Sequence, residues 1–235
     1  MQLFWGVRQG IDEIVITGEE VTHLSKSLRK KEGDEVFIID GTGFLFTGII
    51  SEMTRSEVVA KIKREEFLLK KWHGELHLAI ALTKNIDRIE WFVEKAVEMG
   101  VDRISFLNCH RSVKTNVKMD RIRRIVQSSM KQSLNVTLPV VEDNVDFNML
   151  VLNSTAGNKL IPNCEKMNKV LLTEAIKPAG STLIAIGPEG DFSPGEIDLA
   201  INNGFTAVSM GETRLRTETA GMMAVAIYQG LNWLS

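Results

Sequence analysis

Two short loops carry the residues best suited to chemistry. Gly187-Pro188-Glu189-Gly190 interrupts an apolar run. Gly211-Glu212-Thr213-Arg214-Leu215-Arg216 is a second polar, glycine-led stretch, followed by Thr217 and Glu218. Glycine has no Cβ, so backbone N–H and C=O groups can approach a ligand closely, which suits main-chain recognition of a base such as adenine. Neither loop is a P-loop, because no Gly-Lys-Ser/Thr follows, and neither matches the G-x-G-x-x-G dinucleotide pattern. The same stretches also fit ordinary βα turns, which are often glycine-rich. On spacing alone both readings stand.

The flanking residues say how such loops would be held. Thr182–Ile186 reads as a strand, and Ser193, Pro194 and Glu196 form an N-cap, a first-position proline and a capping box. That helix should end at Gly204. Phe205–Met210 reads as a second strand, and a long apolar helix should start at or near Thr217 and reach about Leu234. Upstream, Glu75–Leu82 is a buried-strand pattern. Ile89, Phe92, Val93, Ala96, Val97 and Met99 have helical spacing up to Gly100, with Asp87 and Glu90 as a capping-box-like start. Arg103–Asn108, Leu138–Val141 and Lys159–Ile161 read as strands. Asp120–Leu134, Val145–Asn153 and Met167–Ile176 read as helices. This alternation predicts an α/β fold, a mainly parallel sheet with helices on both faces. Ligands of such sheets bind at the carboxyl ends of the strands, where both loops lie.

The first 70 or so residues have a different rhythm. Short strands at Asp12–Ile16, Val36–Ile39, Gly43–Ile50 and Glu57–Lys63 alternate with turn signals at Lys31–Asp34 and Asp40-Gly41, and Thr22–Leu28 suggests a short helix. That pattern predicts a small barrel. A charged linker, Lys63–Trp72, then divides the chain into domains 1–72 and 73–235.

Charged residues make up 25% of the chain and apolar residues 44%, the balance of a soluble globular protein. No apolar run approaches the ~20 residues that span a bilayer, and the opening MQLFWGVRQG holds no signal-peptide core. Cys109 and Cys164 are far apart, which favours a reducing cytoplasm. The four histidines are scattered, so no metal site is expected. The net charge of −2 hides an asymmetry. Residues 103–135 hold Arg103, Arg111, Lys114, Lys118, Arg121, Arg123, Arg124 and Lys131 against the single acid Asp120. Such a patch fits RNA phosphates, or a merely solvated helix face.

IGPEGDFSPGEID followed by MGETRLRTETA resembles the paired signature of the SPOUT class of RNA methyltransferases. Within it the chain is similar to the RsmE family, which methylates N3 of a uridine in 16S ribosomal RNA. The family forms are close to IGPEGGFSxxE and LGxRILRTETA, so Asp191 replaces a glycine, Met210 a leucine, and Leu215 follows Arg214 directly. His23–Asp34 is similar to H-x-x-x-x-L-R-x-x-x-G-D of the family's PUA-like barrel. Lys84–Glu90, His110-Arg111-Ser112 and Met130–Ser133 resemble its K-x-x-R-x-E, R-S and E-Q-S motifs.

The resemblance implies a C-terminal trefoil knot, with the segment through Thr213–Leu231 threading a loop near Gly187–Asp191. It implies a homodimer acting on the small ribosomal subunit, with Arg88 or Arg111 of one subunit beside the other's cofactor. The implied S-adenosylmethionine site comprises Leu160, Ile186, Gly187, Pro188, Glu189, Gly190, Met210, Gly211, Leu215, Arg216, Thr217 and Ala220. Implied RNA contacts are Arg29, Lys30, Lys31, Lys84, Arg111, Lys114, Arg121, Arg123 and Arg124.

Uridine N3 carries a proton and attacks only once that proton leaves, so a site must stabilise a uracil anion or accept the proton. Arg216, assisted by Arg88 or Arg111, suits the first task; Glu218 or Glu189 suits the second. Glu218 also fits a simple favourable charge at a helix N-terminus, and Thr217 fits either a cap or a ligand contact. Two alternatives are a SPOUT methyltransferase acting on another base and a non-catalytic RNA-binding assembly factor.

Overall fold

The computed structural model describes residues 1–113 and 116–233. The chain divides into two compact units, Met1–Lys70 with Gln127–Leu138, and Lys71–Val126 with Pro139–Ser235.

The first unit holds β1 (Leu3–Trp5), β2 (Val7–Gln9), β3 (Glu13–Thr17), α1 (Glu19–Thr22), β4 (Glu35–Ile39), β5 (Phe44–Met53) and β6 (Glu57–Phe67). A π-helical turn, His23–Ser27, continues α1. The sheet order is β1-β4-β5-β6-β3-β2. Its two edge strands are consecutive in the chain, so the single extended segment Leu3–Gln9 borders both edges of a curled sheet. Gly6 is the pivot of that segment. Its N–H bonds Ile39 O at 3.0 Å, and a Cβ there would stand 2.7 Å from Ile38 Cγ2 and 2.9 Å from Ile14 Cγ1. Phe4, Ile14, Ile16, Leu24, Ile38, Phe46 and Val58 fill the interior. β6 runs to Phe67, through the first half of the expected linker. Pairing with β5 and the packing of Phe67 edge-on to Phe44 override the polar composition of Lys63–Glu66.

The second unit is a sheet of seven parallel strands in the order β11-β13-β10-β12-β7-β8-β9. In chain order these are β7 (Glu75–Ala81), β8 (Arg103–Asn108), β9 (Val140–Asp146), β10 (Asn158–Pro162), β11 (Val170–Leu171), β12 (Ser181–Ile186) and β13 (Thr206–Ser209). The helices are α2 (Ile86–Met99), α3 (Met119–Ser133), α4 (Phe147–Asn153), α5 (Leu172–Ala175), α6 (Pro194–Asn202) and α7 (Thr217–Asn232). α3 runs through the division between the units, which falls after Val126.

Strand alternation sorts the helices onto two faces. Ala79, Ala81, Leu107 and Ala185 pack with Phe147 of α4 and with Phe192 and Ile197 at α6. On the other face α2 and α7 pack together and α7 lies on β7. Gly221 makes that approach possible, since a Cβ there would meet Ile80 Cδ1 and Phe92 Cε2 at 2.9 Å.

Several boundaries differ from expectation. α2 is capped by Asn85, whose side chain accepts from Asp87 N, rather than by an Asp87–Glu90 box. The expected Met167–Ile176 helix is a two-residue strand and one helical turn, because Val170 and Leu171 pair with β13. The first-position proline, the capping box at Ser193 and the left-handed glycine after α6 (Gly204, φ 83°) are as expected.

A polar chain crosses the sheet near the amino ends of its strands. His77 Nε2 and Ser105 Oγ are 2.7 Å apart, and Ser105 Oγ donates to Glu142 Oε2 at 2.6 Å. Burial, helped by the nearby Arg103 charge, lowers the His77 pKa to about 4. The unfolded chain therefore takes up a proton near pH 6.5 that the folded chain refuses. Stability is complete above pH 6.5 and should decline by up to about 3 kcal/mol as the pH falls to 4. Denaturant titrations of a His77→Gln variant should lack that decline while keeping the steeper losses of its carboxylates.

Candidate active site

Three loops converge at the carboxyl ends of β10, β12 and β13, three adjacent strands. They enclose a cleft of about 980 Å³, the upper range for small-molecule sites. The loop after β10 contributes Asn163 and Cys164, with Lys169 further on; the loop after β12 contributes Gly187–Asp191; the loop after β13 contributes Met210–Arg216. Thr217 and Ala220 of α7 and Arg88 of α2 complete it. Eleven of the twelve residues implied for the cofactor line this cleft. Leu160 does not. It is fully buried within β10, between Ile184 and Thr206, and the strand's end, Pro162, lines the cleft in its place.

The Gly187–Asp191 loop is held by the side chains of Thr217 and Arg111 and by its own Asp191, and Glu196 ties the segment that follows it to the loop after β8. Thr217 Oγ1 donates to Gly187 O at 3.1 Å, so its hydroxyl hydrogen is committed to that loop; it does not cap α7, whose N-cap position is Arg216, and it lines the cleft. Arg111 Nη1 donates to Gly190 O at 2.8 Å and to Phe192 O at 3.2 Å. Glu196 is 7% exposed. Its Oε2 accepts from the N–H and hydroxyl of Ser193, and its Oε1 accepts from His110 N, 2.8 Å away. Asp191, at φ 62°, accepts from Cys164 N at 2.7 Å and from Phe192 N at 2.8 Å. The capping box alone signalled Glu196; its second bond, to the loop after β8, spans 86 residues and has no local signature.

The charged groups fall into two kinds. Arg216 is exposed at the cleft and its side chain has no hydrogen bond or ion pair among the described residues. Arg88 Nη1 lies 3.6 Å from Glu218 Oε1. Glu218 is buried in the first turn of α7, behind Arg88 rather than in the cleft wall, and its Oε2 has no hydrogen-bond partner among the described residues. Glu218 is thus a favourable charge at the N-terminus of α7 and also the partner of Arg88. Arg88 and Arg216 both line the cleft. Glu189 lines the cleft and is exposed. Cys109 is a buried thiol pushed up to about 12 by desolvation, so it stays protonated and inert.

The basic candidates for RNA are spread more widely. Arg29 and Lys31 are exposed after the π-helical turn, and Lys30 Nζ donates to Glu35 O. Lys84 is exposed before α2. Arg121 is ion-paired with Glu90, while Arg123 and Arg124 bond the Asp120 carboxylate and carbonyl respectively. Lys131 pairs with Glu20. Lys114 lies outside the described residues. Among the described residues no group of three or more His, Cys, Asp or Glu could hold a metal, and no helix is long and apolar enough to cross a membrane.

Removing Glu196 should leave His110 N–H and Ser193 N–H without acceptors. Glu196→Ala is expected to lower unfolding free energy by roughly 2–3 kcal/mol, measured by urea titration, and Glu196→Gln, which keeps acceptor capacity, by less.

Comparison with known proteins agrees with this geometry. Residues 70–229 match the RNA methyltransferase domain model, and residues 16–63 the RNA methyltransferase PUA domain model. The chain is 26% identical over 231 residues to the ribosomal RNA small subunit methyltransferase E of Bacillus subtilis, covering 90% of this chain and 87% of that one. A probable rRNA-methyltransferase from Porphyromonas gingivalis superposes with a TM-score of 0.93 at 34% identity over 98% of both chains. The ribosomal RNA small subunit methyltransferase E of Neisseria gonorrhoeae, solved bound to S-adenosyl methionine, gives 0.84 at 26% identity, again over 98% of both. A curled N-terminal sheet, a parallel α/β unit and a three-loop cleft at its strand ends accompany these matches; the chain belongs to the ribosomal RNA small subunit methyltransferase E family of RNA methyltransferases.

Proposed function

We propose that this chain transfers the methyl group of S-adenosylmethionine to N3 of a uridine in 16S ribosomal RNA. The observation that carries the reading is the three-loop cleft with Arg88 and Arg216 both facing it. The cleft fits the cofactor in size. Glu189, Asp191 and Glu212 at its wall complement cationic groups, and the arginines complement a carboxylate or a developing anion. Bound there, S-adenosylmethionine supplies an electrophilic methyl carbon with a neutral thioether as leaving group. Loops pinned by Thr217, Arg111 and Glu196 keep the acceptor geometry fixed, and positioning provides most of the rate.

Arg216 stabilises negative charge on the uracil as N3 loses its proton. Arg88 assists, and Glu218 orients it from behind as a positioning residue. Glu189, exposed in the cleft, takes the proton or passes it to water.

RNA is held by the first unit through Arg29, Lys30 and Lys31, and elsewhere in the chain by Lys84, Lys114, Arg123 and Arg124. Arg111 and Arg121 serve RNA less directly, since their partners lie on distant segments, Gly190 and Glu90, whereas Lys30, Arg123 and Arg124 bond residues within five positions of themselves. The return of α7 from β13 to β7, with Thr217 bonded to Gly187, supports threading of the C-terminal segment through the Gly187–Asp191 loop as a trefoil knot. A cytoplasmic homodimer completes the reading. Met223 and Leu231 of α7 and Trp233 just after it are 36%, 44% and 56% exposed, apolar groups suited to a second copy.

Incubation with labelled S-adenosylmethionine and either assembled small subunits or deproteinised 16S RNA, followed by nucleoside mass spectrometry, should yield 3-methyluridine. Arg216→Ala should lower kcat by about 10²–10³ and change KM for S-adenosylmethionine little. Another methylated base, or RNA binding without cofactor binding, would refute the assignment. Light scattering should give twice the 26.3 kDa chain mass; a fully active monomer would refute the dimer.

A further inference from the structure

We infer that Asp191 is a positioning residue that sets the affinity for the cofactor by tying two walls of the cleft together. The inference rests on the cofactor reading above.

Asp191 stands where the resembling signature has glycine, and the backbone explains why glycine is the easy choice. Its φ of 62° lies in the left-handed region, which glycine enters freely and aspartate only at some cost. The side chain provides the compensation. One carboxylate oxygen accepts from Phe192 N at 2.8 Å, an immediate neighbour, and steadies the turn itself. The other accepts from Cys164 N at 2.7 Å, across 27 residues of sequence. Cys164 belongs to the loop after β10, and Asp191 to the loop after β12. These strands are adjacent in the sheet, but their pairing stops at Leu160 and Ile184, short of both loops. Beyond that point the Asp191–Cys164 bond is a direct link between the two walls, and both residues line the cleft.

Around it, the neighbouring loop is held largely from within. Asn163 Nδ2 donates to Ile161 O, Asn163 Oδ1 accepts from Glu165 N, and Lys169 Nζ donates to Asn163 O. None of these three bonds reaches the Gly187–Asp191 loop. A glycine at 191 would keep the turn, relax its backbone and release the 163–164 wall. The fold would persist while the cleft lost one fixed side. A ligand would then have to order that wall as it binds, and its affinity would fall by that cost.

The test separates this role from plain structural support. Asp191→Gly relieves the left-handed strain, so its melting temperature should equal or exceed that of the wild type. Its dissociation constant for S-adenosylmethionine, measured by calorimetry on full-length protein, should rise roughly ten-fold, the effect of one lost charge-assisted bond. KM for S-adenosylmethionine should rise in step while kcat stays within about two-fold, as for lost ground-state binding. Asp191→Asn retains an acceptor oxygen and the tolerance of asparagine for left-handed φ, and should restore most of the affinity. Undiminished affinity in Asp191→Gly would overturn the inference. So would an equal loss in Asp191→Asn, which would put the negative charge, not the tether, at work. Wild-type protein that fails to bind S-adenosylmethionine would instead refute the cofactor reading on which the inference stands.

Discussion

A loop that offers its backbone to a ligand must be held by something other than its own hydrogen-bond ladder. Gly187–Asp191 has left the sheet and has not yet entered α6. Side chains of distant elements hold it: a threonine from α7 and an arginine from the loop after β8, itself tied by its neighbour His110 to a buried glutamate in α6. Buried polar groups must be paired, and here the pairing is also the scaffold. The sequence order of the strands makes this possible, because placing β12 between β7 and β10 brings residues more than 70 positions apart to one end of the sheet.

Much of this frame was legible in the sequence because the signals were local. The Ser193–Glu196 capping box, the glycines closing α2 and α6, and the apolar runs of β7 and β12 depend on neighbours within a few residues. What was not legible depended on partners far away. The linker charges gave no warning that β6 continues to Phe67, since β5 and Phe44 decide it. The basic stretch and the R-S motif that made Arg111 a candidate RNA contact gave no sign of its acceptors, which lie 79 and 81 residues on. Leu160 was named by resemblance, yet strand alternation turns it into the sheet interior. The cleft-lining set was otherwise readable because both loops are contiguous stretches of chain.

Arg88 and Glu218 show a further limit of motif reading. Both were assigned chemical roles from residue type, and both are near the cleft. Burial distinguishes them. Arg88 reaches the cleft surface, whereas Glu218 is enclosed by α2 and α7 with one oxygen toward the arginine. A half-buried ion pair contributes little net stability, but it holds the Arg88 guanidinium in place, which is what an electrostatic site needs.

The shared helix α3 has a consequence for how the chain matures on the ribosome. The first unit is not finished at Lys70, because Gln127–Leu138 belongs to it. Gly43 N–H bonds Val136 O and Leu138 N–H bonds Gly41 O, both within that unit. During synthesis the curled sheet must therefore wait, open along these groups, while more than 60 further residues are added. Neither unit is a cassette: cutting after Lys70 severs the chain but leaves the N-terminal piece without its last segment. Swapping such a module between relatives would require transplanting two separate stretches of sequence.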